Sequence, residues 1–268
     1  MLEAVVDQSE GLRHWMPQAS TQGMRVMAMV SRGETGTEQP LLWQICTSLQ
    51  GLGHNVAVLD GTTAESEHNR GLQDLLDHAH WLENADDDST WQIVPAKVGF
   101  TALARLASRD KEDDMPLRPL GHLFKNFDTV LVYARAEVLM ALLPGTQVRP
   151  LLAISPSKTS IVNGYQTLKQ LLQAGCMPTL VSLVTGPLQA AQTRAKEAAR
   201  SLQHCAATYL GCDTEVLNIR SFPQQDKPSE DTPRLVLRLL ESAAAVGNDW
   251  PGRFSDSDFS AVHLVRSQ

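Results

Sequence analysis

The sequence lacks most of the features that mark a secreted, membrane-spanning or nucleic-acid-binding protein. Its four cysteines include no C-x-x-C pair, so neither a disulfide framework nor a metal site is predicted. No apolar run approaches the roughly 20 residues of a membrane span, and the first residues lack the basic segment of a signal peptide. The net charge of -7 argues against broad contact with nucleic acid. We therefore expect a cytoplasmic protein with reduced thiols and no nucleic-acid partner.

Independent catalysis is not predicted either. The eight histidines are dispersed, and the sequence contains no G-x-S-x-G or H-E-x-x-H motif. The acidic runs at 83–90 and 108–115 have no calcium-loop spacing and are typical of solvated loops. We expect no catalytic residue and no metal ligand among these groups.

Short apolar runs that alternate with amphipathic stretches dominate the rest of the chain. Strands are predicted at 25–30, 55–59, 92–94, 129–133, 151–154, 179–184 and 208–211. Helices are predicted at 41–52, 72–82, 100–106, 117–127, 160–172, 188–204 and 233–245. Strands without polar alternation, separated by helices, are typical of parallel sheets. The pattern predicts a doubly wound, mainly parallel α/β sheet of about seven strands with helices on both faces.

The chain divides into four parts. An amphipathic helix is predicted at 1–17, where Leu12, Trp15 and Met16 recur at helical spacing before Pro17. Residues 18–23 are small and polar and read as a tether. The α/β domain spans 24–246, and a tail without clear periodicity covers 247–268.

The turn after the first predicted strand is the place where such a sheet would hold phosphates, at the N-terminus of the following helix. Here it reads Ser-Arg-Gly-Glu-Thr-Gly-Thr-Glu-Gln over residues 31–39. The glycines fit a loop of suitable size. A phosphate loop also needs a Lys for the phosphate charge and a Ser or Thr for magnesium, and this turn has no such pair.

Two further segments carry a resemblance to a known family. Residues 52–60 resemble the LGxxVLxxD strand of the MinD/ParA ATPases, and residues 155–165 resemble their TPEPTSIxDAY segment. The family has a deviant phosphate loop written KGGxGKT. With the register set by residues 52–60, its two Lys fall on Gly33 and Glu38, and its Thr falls on Gln39. A Glu that faced a triphosphate would repel it.

The resemblance implies that other nucleotide ligands have also changed. Asp60 matches the family's first Asp after the strand, but the second, which positions the attacking water, falls on Thr62. The metal-linked Asp of the switch falls on Tyr133, and the base-reading Asn falls on Ser182. The degenerate nucleotide site implied by the resemblance comprises Arg32, Gly33, Gly36, Glu38, Gln39, Asp60, Thr62, Tyr133 and Ser182.

This degenerate site implies a MinD-like pseudo-ATPase. A working ATPase would have to rebuild its phosphate and magnesium contacts from Arg32, Asp60 and backbone groups. We expect no cofactor, or weak ATP binding through backbone amides. Because family members dimerise around ATP, we expect a monomer or a weak dimer.

The predicted N-terminal helix carries a second resemblance. Residues 7–13 resemble the DQAxxLR motif of the FlhG branch, also called FleN or YlxH, whose motif helix stimulates the signal-recognition-type GTPase FlhF. The motif positions are Asp7, Gln8, Leu12 and Arg13, with Ser9 in place of Ala. The resemblance implies an FlhF-type partner. The alternative is an ordinary amphipathic helix that caps the domain.

Together these features predict a non-catalytic FlhG-like regulator of flagellar number, placement or assembly, with other flagellar or polar proteins as further partners. It would be recruited to the cell pole or inner membrane surface by its partners, without a stable membrane anchor of its own, since helix 233–245 fits a core-covering helix. Two alternatives remain open. One is a residual MinD-like ATPase switch, and the other is a degenerate ParA-like scaffold of another polar machine.

Overall fold

The structure is a computed structural model, and it describes residues 23–78, 91–109, 116–185, 188–221 and 229–246. The predicted N-terminal helix with its motif, the tether up to residue 22 and the tail at 247–268 lie outside the described residues.

One sheet forms the centre of the described chain. Its strands are β1 (Met24–Val30), β2 (Val56–Asp60), β3 (Gln92–Pro95), β4 (Thr129–Ala134), β5 (Leu151–Ile154), β6 (Thr179–Val184), β7 (Val216–Arg220) and β8 (Ala244–Val246). The spatial order is β3-β2-β4-β1-β5-β6-β7, and all of these neighbours are parallel. The short β8 pairs antiparallel with the first half of β1. The predicted doubly wound, mainly parallel sheet is confirmed, with eight strands in the described residues.

Helices cover both faces of this sheet. They are α1 (Thr35–Gly51), α2 (Leu72–Asp77), α3 (Lys97–Arg109), α4 (Leu120–Leu123), α5 (Ala136–Leu142), α6 (Lys158–Gln173), α7 (Leu188–Cys205) and α8 (Thr232–Glu241). Helices α1 and α8 pack on one face, while α2 to α7 pack on the other. The predicted two-sided arrangement is confirmed.

Strand β1 shows why the strands read as uninterrupted apolar runs. Val26, Ala28 and Val30 belong to the core on the side of α2 to α7, and Met27 and Met29 belong to the core under α1 and α8. Successive side chains of a strand point to opposite faces, so a strand covered on both sides needs apolar residues at every position.

Two predicted elements at the C-terminal side are wrong. Residues 208–211 are not a strand, because Ala206–Leu210 continues α7 as a π-helical turn that Gly211 ends at a φ of 61°. The last parallel strand is instead β7. The predicted helix 233–245 ends at Glu241, and Ala244–Val246 pairs with β1.

Helix boundaries differ elsewhere. The helix predicted at 41–52 begins at Thr35, directly after the loop that follows β1. The helix predicted at 117–127 is reduced to the single turn α4, and α5 is absent from the predicted set. Within the described ranges, no helix is both long and apolar enough to cross a membrane.

Candidate functional site

The candidate site lies where β1, β2, β4 and β5 end. Since carboxyl ends of parallel strands meet at one edge, the β1–α1 loop lies beside the segments that follow β4 and β5. Strand β2 adds Asp60, which is paired in register with Tyr133 of β4. The structure therefore brings Arg32, Glu38, Asp60 and Tyr133 to one edge.

The β1–α1 loop is compact. Gly33 has a φ of 81°, a conformation that favours glycine. The Glu34 carbonyl accepts from the N–H groups of Thr37 and Glu38, both at 2.9 Å, and so closes the first turn of α1. Gly36 and Gln39 are exposed in that turn. The loop thus leads from β1 directly into the first turn of α1.

The Glu38 side chain points inward and is 1% exposed. Its Oε1 accepts from the Arg32 backbone N–H at 3.0 Å. Its Oε2 accepts from the Tyr133 hydroxyl at 2.7 Å and, at 3.4 Å, from the Ser31 hydroxyl. Protein donors beneath the loop therefore hold the Glu38 carboxylate, and it does not point into the solvent above the loop.

Arg32 is turned away from the loop and towards α6. Its side chain is 5% exposed. Nη1 donates to the Ser160 carbonyl at 2.9 Å, and Nη2 donates to the Ser160 hydroxyl at 3.0 Å and to the Ala153 carbonyl. Its Nε lies 3.9 Å from Glu38 Oε1 and has no hydrogen-bond partner in the structure. The guanidinium therefore ties β1 to β5 and α6.

Glu34 completes this network. Its Oε1 lies 3.2 Å from Arg32 Nη1, and its Oε2 accepts from the Ser160 hydroxyl at 2.9 Å. The Ser160 hydroxyl also accepts from the Ser155 N–H at 2.9 Å, so its donor and acceptor capacity is well used. Two carboxylates thus surround one guanidinium, and the network carries one excess negative charge when all three are ionised.

A shallow depression of about 440 Å³ lies between the first turns of α1 and α6. It is lined by Gly33, Glu34, Thr35, Gly36, Thr37, Ser157, Thr159, Ser160 and Asn163. Glu34 is the one ionisable residue in this lining, and its charge disfavours an anionic ligand. Ser157 is already engaged, since its hydroxyl accepts from the Ser160 N–H at 3.1 Å as the cap of α6.

Burial raises the pKa of the Tyr133 hydroxyl, and the neighbouring Glu38 charge raises it further, although a hydrogen bond with Ser31 acts in the opposite direction. Tyr133 therefore stays protonated and donates to Glu38. At the end of β4 the chain therefore presents a neutral hydrogen-bond donor.

Asp60 lies in a more open setting. Its Oδ1 accepts from the Thr62 N–H at 2.8 Å and from the Thr62 hydroxyl at 2.6 Å. Its Oδ2 accepts from the Thr63 hydroxyl at 2.7 Å. The carboxylate organises the β2 turn, and Thr62 itself is exposed. In the described part of the chain no group of three His, Cys, Asp or Glu residues is arranged to hold a metal ion.

Ser182 is placed apart from this network. It is fully buried within β6, and its hydroxyl donates to the Ala195 carbonyl of α7 at 2.9 Å. Strand β5 separates it from β1.

Sequence reasoning did not identify Ser31, Glu34, Ser155 and Ser160 as members of the site. The segment that contains Ser155 and Ser160 entered the prediction only through its resemblance to a family segment. The signal that could have found these residues is the pairing of Arg32 with two Glu residues in one short loop.

Solved structures share this fold at low sequence identity. The MinC:MinD cell division protein complex of Aquifex aeolicus matches with a TM-score of 0.50 at 15% identity, over 81% of this chain and 94% of that one. MinD of Aquifex aeolicus matches with a TM-score of 0.49 at 12% identity, over the same shares. A plasmid partition protein of Borrelia burgdorferi, bound to AMPPNP, matches at 11% identity and a TM-score of 0.45, over 91% and 99%.

No protein-family model and no curated protein matches the sequence. Identities this low speak for the fold alone. With its eight-stranded sheet, the strand order around β1 and the helices on both faces, the chain has the MinD-like α/β fold.

Proposed function

We propose that this protein is a non-catalytic, FlhG-like regulator that acts by binding other proteins, with an FlhF-type GTPase as the partner of its N-terminal motif. The observation that carries the non-catalytic part is Glu38. It stands where the resemblance places the phosphate-binding Lys, and its carboxylate is held by the Arg32 N–H and the Tyr133 hydroxyl.

Phosphoryl transfer depends on cations and N–H groups that surround the phosphate charge. In this loop the Arg32 N–H donates to Glu38, and the Arg32 guanidinium donates to Ala153 and Ser160. A triphosphate in the depression would meet the Glu34 carboxylate and no cation in the described lining, because the Arg32 guanidinium is held by other groups of the protein. The arrangement supports a pseudo-ATPase.

The output of such a protein lies outside its sheet. Residues 7–13 resemble a motif that stimulates a GTPase, and their chemistry suits that role. The Gln8 amide and the Arg13 cation can assist a water and a phosphate in a partner's site, while Leu12 supplies an apolar anchor. Further flagellar or polar partners would dock on the α/β domain.

A GTP-turnover assay with purified FlhF-type GTPase tests this proposal. We expect the full-length protein to accelerate GTP hydrolysis and the Gln8→Ala variant to lose most of that acceleration. Gln18→Ala, which changes the same residue type outside the motif, is the matched control and should behave like the wild type. Equal turnover with and without the protein, together with no binding in a pull-down, would refute the FlhF assignment.

A further inference from the structure

The Glu38 carboxylate lies in a seat whose donors are all supplied by the ends of two neighbouring strands. They are the Ser31 hydroxyl and Arg32 N–H after β1 and the Tyr133 hydroxyl at the end of β4. The seat is sealed, because Ser31 is 4%, Glu38 1% and Tyr133 3% exposed. Such convergent donors around a water-excluded point are the elements of an anion-binding site.

We propose that Glu38 is a built-in ligand: its carboxylate fills a preformed small-carboxylate site beneath the β1–α1 loop and holds that loop against α6. When the Glu38 side chain is shortened to alanine, the same site binds a free small carboxylate from solution. Beyond its Cβ, glutamate is one CH₂ group and one carboxylate, so acetate is the matching free ligand.

Each oxygen of the Glu38 carboxylate accepts at least one hydrogen bond from the surrounding strand ends. Oε1 has the Arg32 N–H at 3.0 Å and the Arg32 Nε at 3.9 Å, and Oε2 has the hydroxyls of Tyr133 and Ser31. The Nε atom is buried without a hydrogen-bond partner. Without an anion in the seat, the Arg32 N–H and the hydroxyls of Tyr133 and Ser31 would lose their acceptor as well, and proteins rarely tolerate buried donors without one.

The filled seat also orients Arg32. With its backbone N–H bonded to Glu38, Arg32 directs its guanidinium at the Ala153 carbonyl and at Ser160 in the first turn of α6. The chain of contacts from Glu38 through Arg32 to Ser160 joins the β1–α1 loop to α6 without any bound phosphate. It is an intramolecular contact that holds the loop in one conformation.

This inference rests on the proposed function in one respect, namely that the working protein holds no nucleotide at this loop. The two fail in different experiments. Tight ATP binding by the wild type would refute the non-catalytic proposal, whereas the seat is tested by acetate on a truncated variant.

The experiment is chemical rescue of Glu38→Ala, followed by thermal melting after refolding in sodium acetate or in sodium chloride at equal ionic strength. In chloride we expect the Tm to fall by roughly 6 to 20 °C, as for several buried donors left without an acceptor in a domain of this size. Acetate should restore part of that loss in a saturable manner. The bulky trimethylacetate ion should not restore it, and the wild type and Asp60→Ala should not respond to acetate.

A second variant keeps the test decisive. Tyr133→Phe in the Glu38→Ala background removes one donor to the anion. We expect the double variant to bind acetate at least about tenfold more weakly than Glu38→Ala does. If Glu38→Ala folds only in acetate, recovery of soluble protein in acetate against chloride replaces Tm as the readout. An equal response of Glu38→Ala and Asp60→Ala to acetate, or no response of Glu38→Ala in either readout, would overturn the proposal.

Discussion

The loops that follow β1 and β2 each bind a carboxylate, but they differ in its burial and in its hydrogen-bond partners. After β1, Glu38 is sealed from solvent and bonded to donors from β1 and β4. After β2, Asp60 is partly exposed and bonded to Thr62 and Thr63 of its own turn. One carboxylate links elements that are distant in sequence, and the other organises a local turn.

The comparison shows that a carboxylate's contacts, and not its position in a motif, decide what it does. Asp60 stands where the resemblance places an Asp of the MinD/ParA ATPases, and its carboxylate bonds to the turn in which it stands. Glu38 stands where the resemblance places a Lys, and its carboxylate bonds to donors at the ends of β1 and β4. Burial converts a charge into a structural requirement, because an unpaired charge in a low-dielectric setting costs several kcal/mol.

The largest expected effect is the loss of Glu38. Glu38→Ala leaves the Arg32 N–H and the buried hydroxyls of Tyr133 and Ser31 without their acceptor, and should lower the free energy of unfolding by about 3 to 5 kcal/mol. Asp60→Ala, the matched control, should cost about 1 kcal/mol or less, since its hydrogen bonds are local and solvated. Urea unfolding measures both. Equal losses would erase the distinction between the two loops.

Tyr133→Phe isolates one donor while the carboxylate stays in place. The change removes the 2.7 Å bond to Glu38 and should lower the free energy of unfolding by about 1.5 to 3 kcal/mol, as for hydrogen bonds to charged groups. Urea unfolding at neutral pH gives the value. A loss below about 0.5 kcal/mol would mean that this hydroxyl contributes little to the seat.

Gly33→Ala tests the conformation of the β1–α1 loop. An added Cβ would meet no atom within 4 Å, but the φ of 81° disfavours any L side chain. We expect a cost of about 1 to 2 kcal/mol. Gly36→Ala, in the first turn of α1, should be neutral or stabilising because alanine favours helices. Thermal melting of the pair checks this, and the reverse order would contradict the loop geometry.

The smallest expected effect appears at alkaline pH. Because burial raises the pKa of Tyr133, the folded state holds this proton more tightly than the unfolded state does. Its contribution to stability is fully present below the ordinary tyrosine pKa of about 10 and is lost as the pH rises through the raised folded value. Urea unfolding should therefore show a smaller alkaline loss in Tyr133→Phe than in the wild type.

The wild type has a second source of alkaline instability. Burial raises the pKa of Cys46 to about 12, which adds a loss shared by both proteins. The difference between the two proteins therefore reports on Tyr133. Parallel pH profiles would show that Tyr133 does not titrate differently in the folded and unfolded states.

Much of the fold could be predicted because strands covered on both faces appear in the sequence as short, uninterrupted apolar runs. The strands at 151–154 and 179–184 were predicted at their observed bounds. The errors arose where tertiary contacts decide. The apolar residues Tyr209 and Leu210 belong to a π-helical turn, while β7 includes Asn218 and lies at the sheet edge. The segment 244–246 is a strand because it pairs with the first half of β1, a contact between residues far apart in sequence.

The candidate site was predicted less completely. The order of elements located the β1–α1 loop, and the resemblance placed Glu38 at the position of the family's Lys. Spacing does not say which way a side chain points, so the burial of Glu38 was not predicted and Ser160 was not identified as a partner of Arg32. Contacts such as Arg32 to Ser160 span 128 residues of sequence and depend on the order of strands in the sheet.

Titration calorimetry of the wild-type protein with ATP and magnesium is the most direct test of the account. With Glu38 held by the loop donors and Glu34 lining the depression, we predict no saturable heat at nucleotide concentrations up to about millimolar, where a ligand would gain only about 4 kcal/mol. Saturable binding with a micromolar Kd, accompanied by phosphate release, would contradict it and identify the protein as a working ATPase.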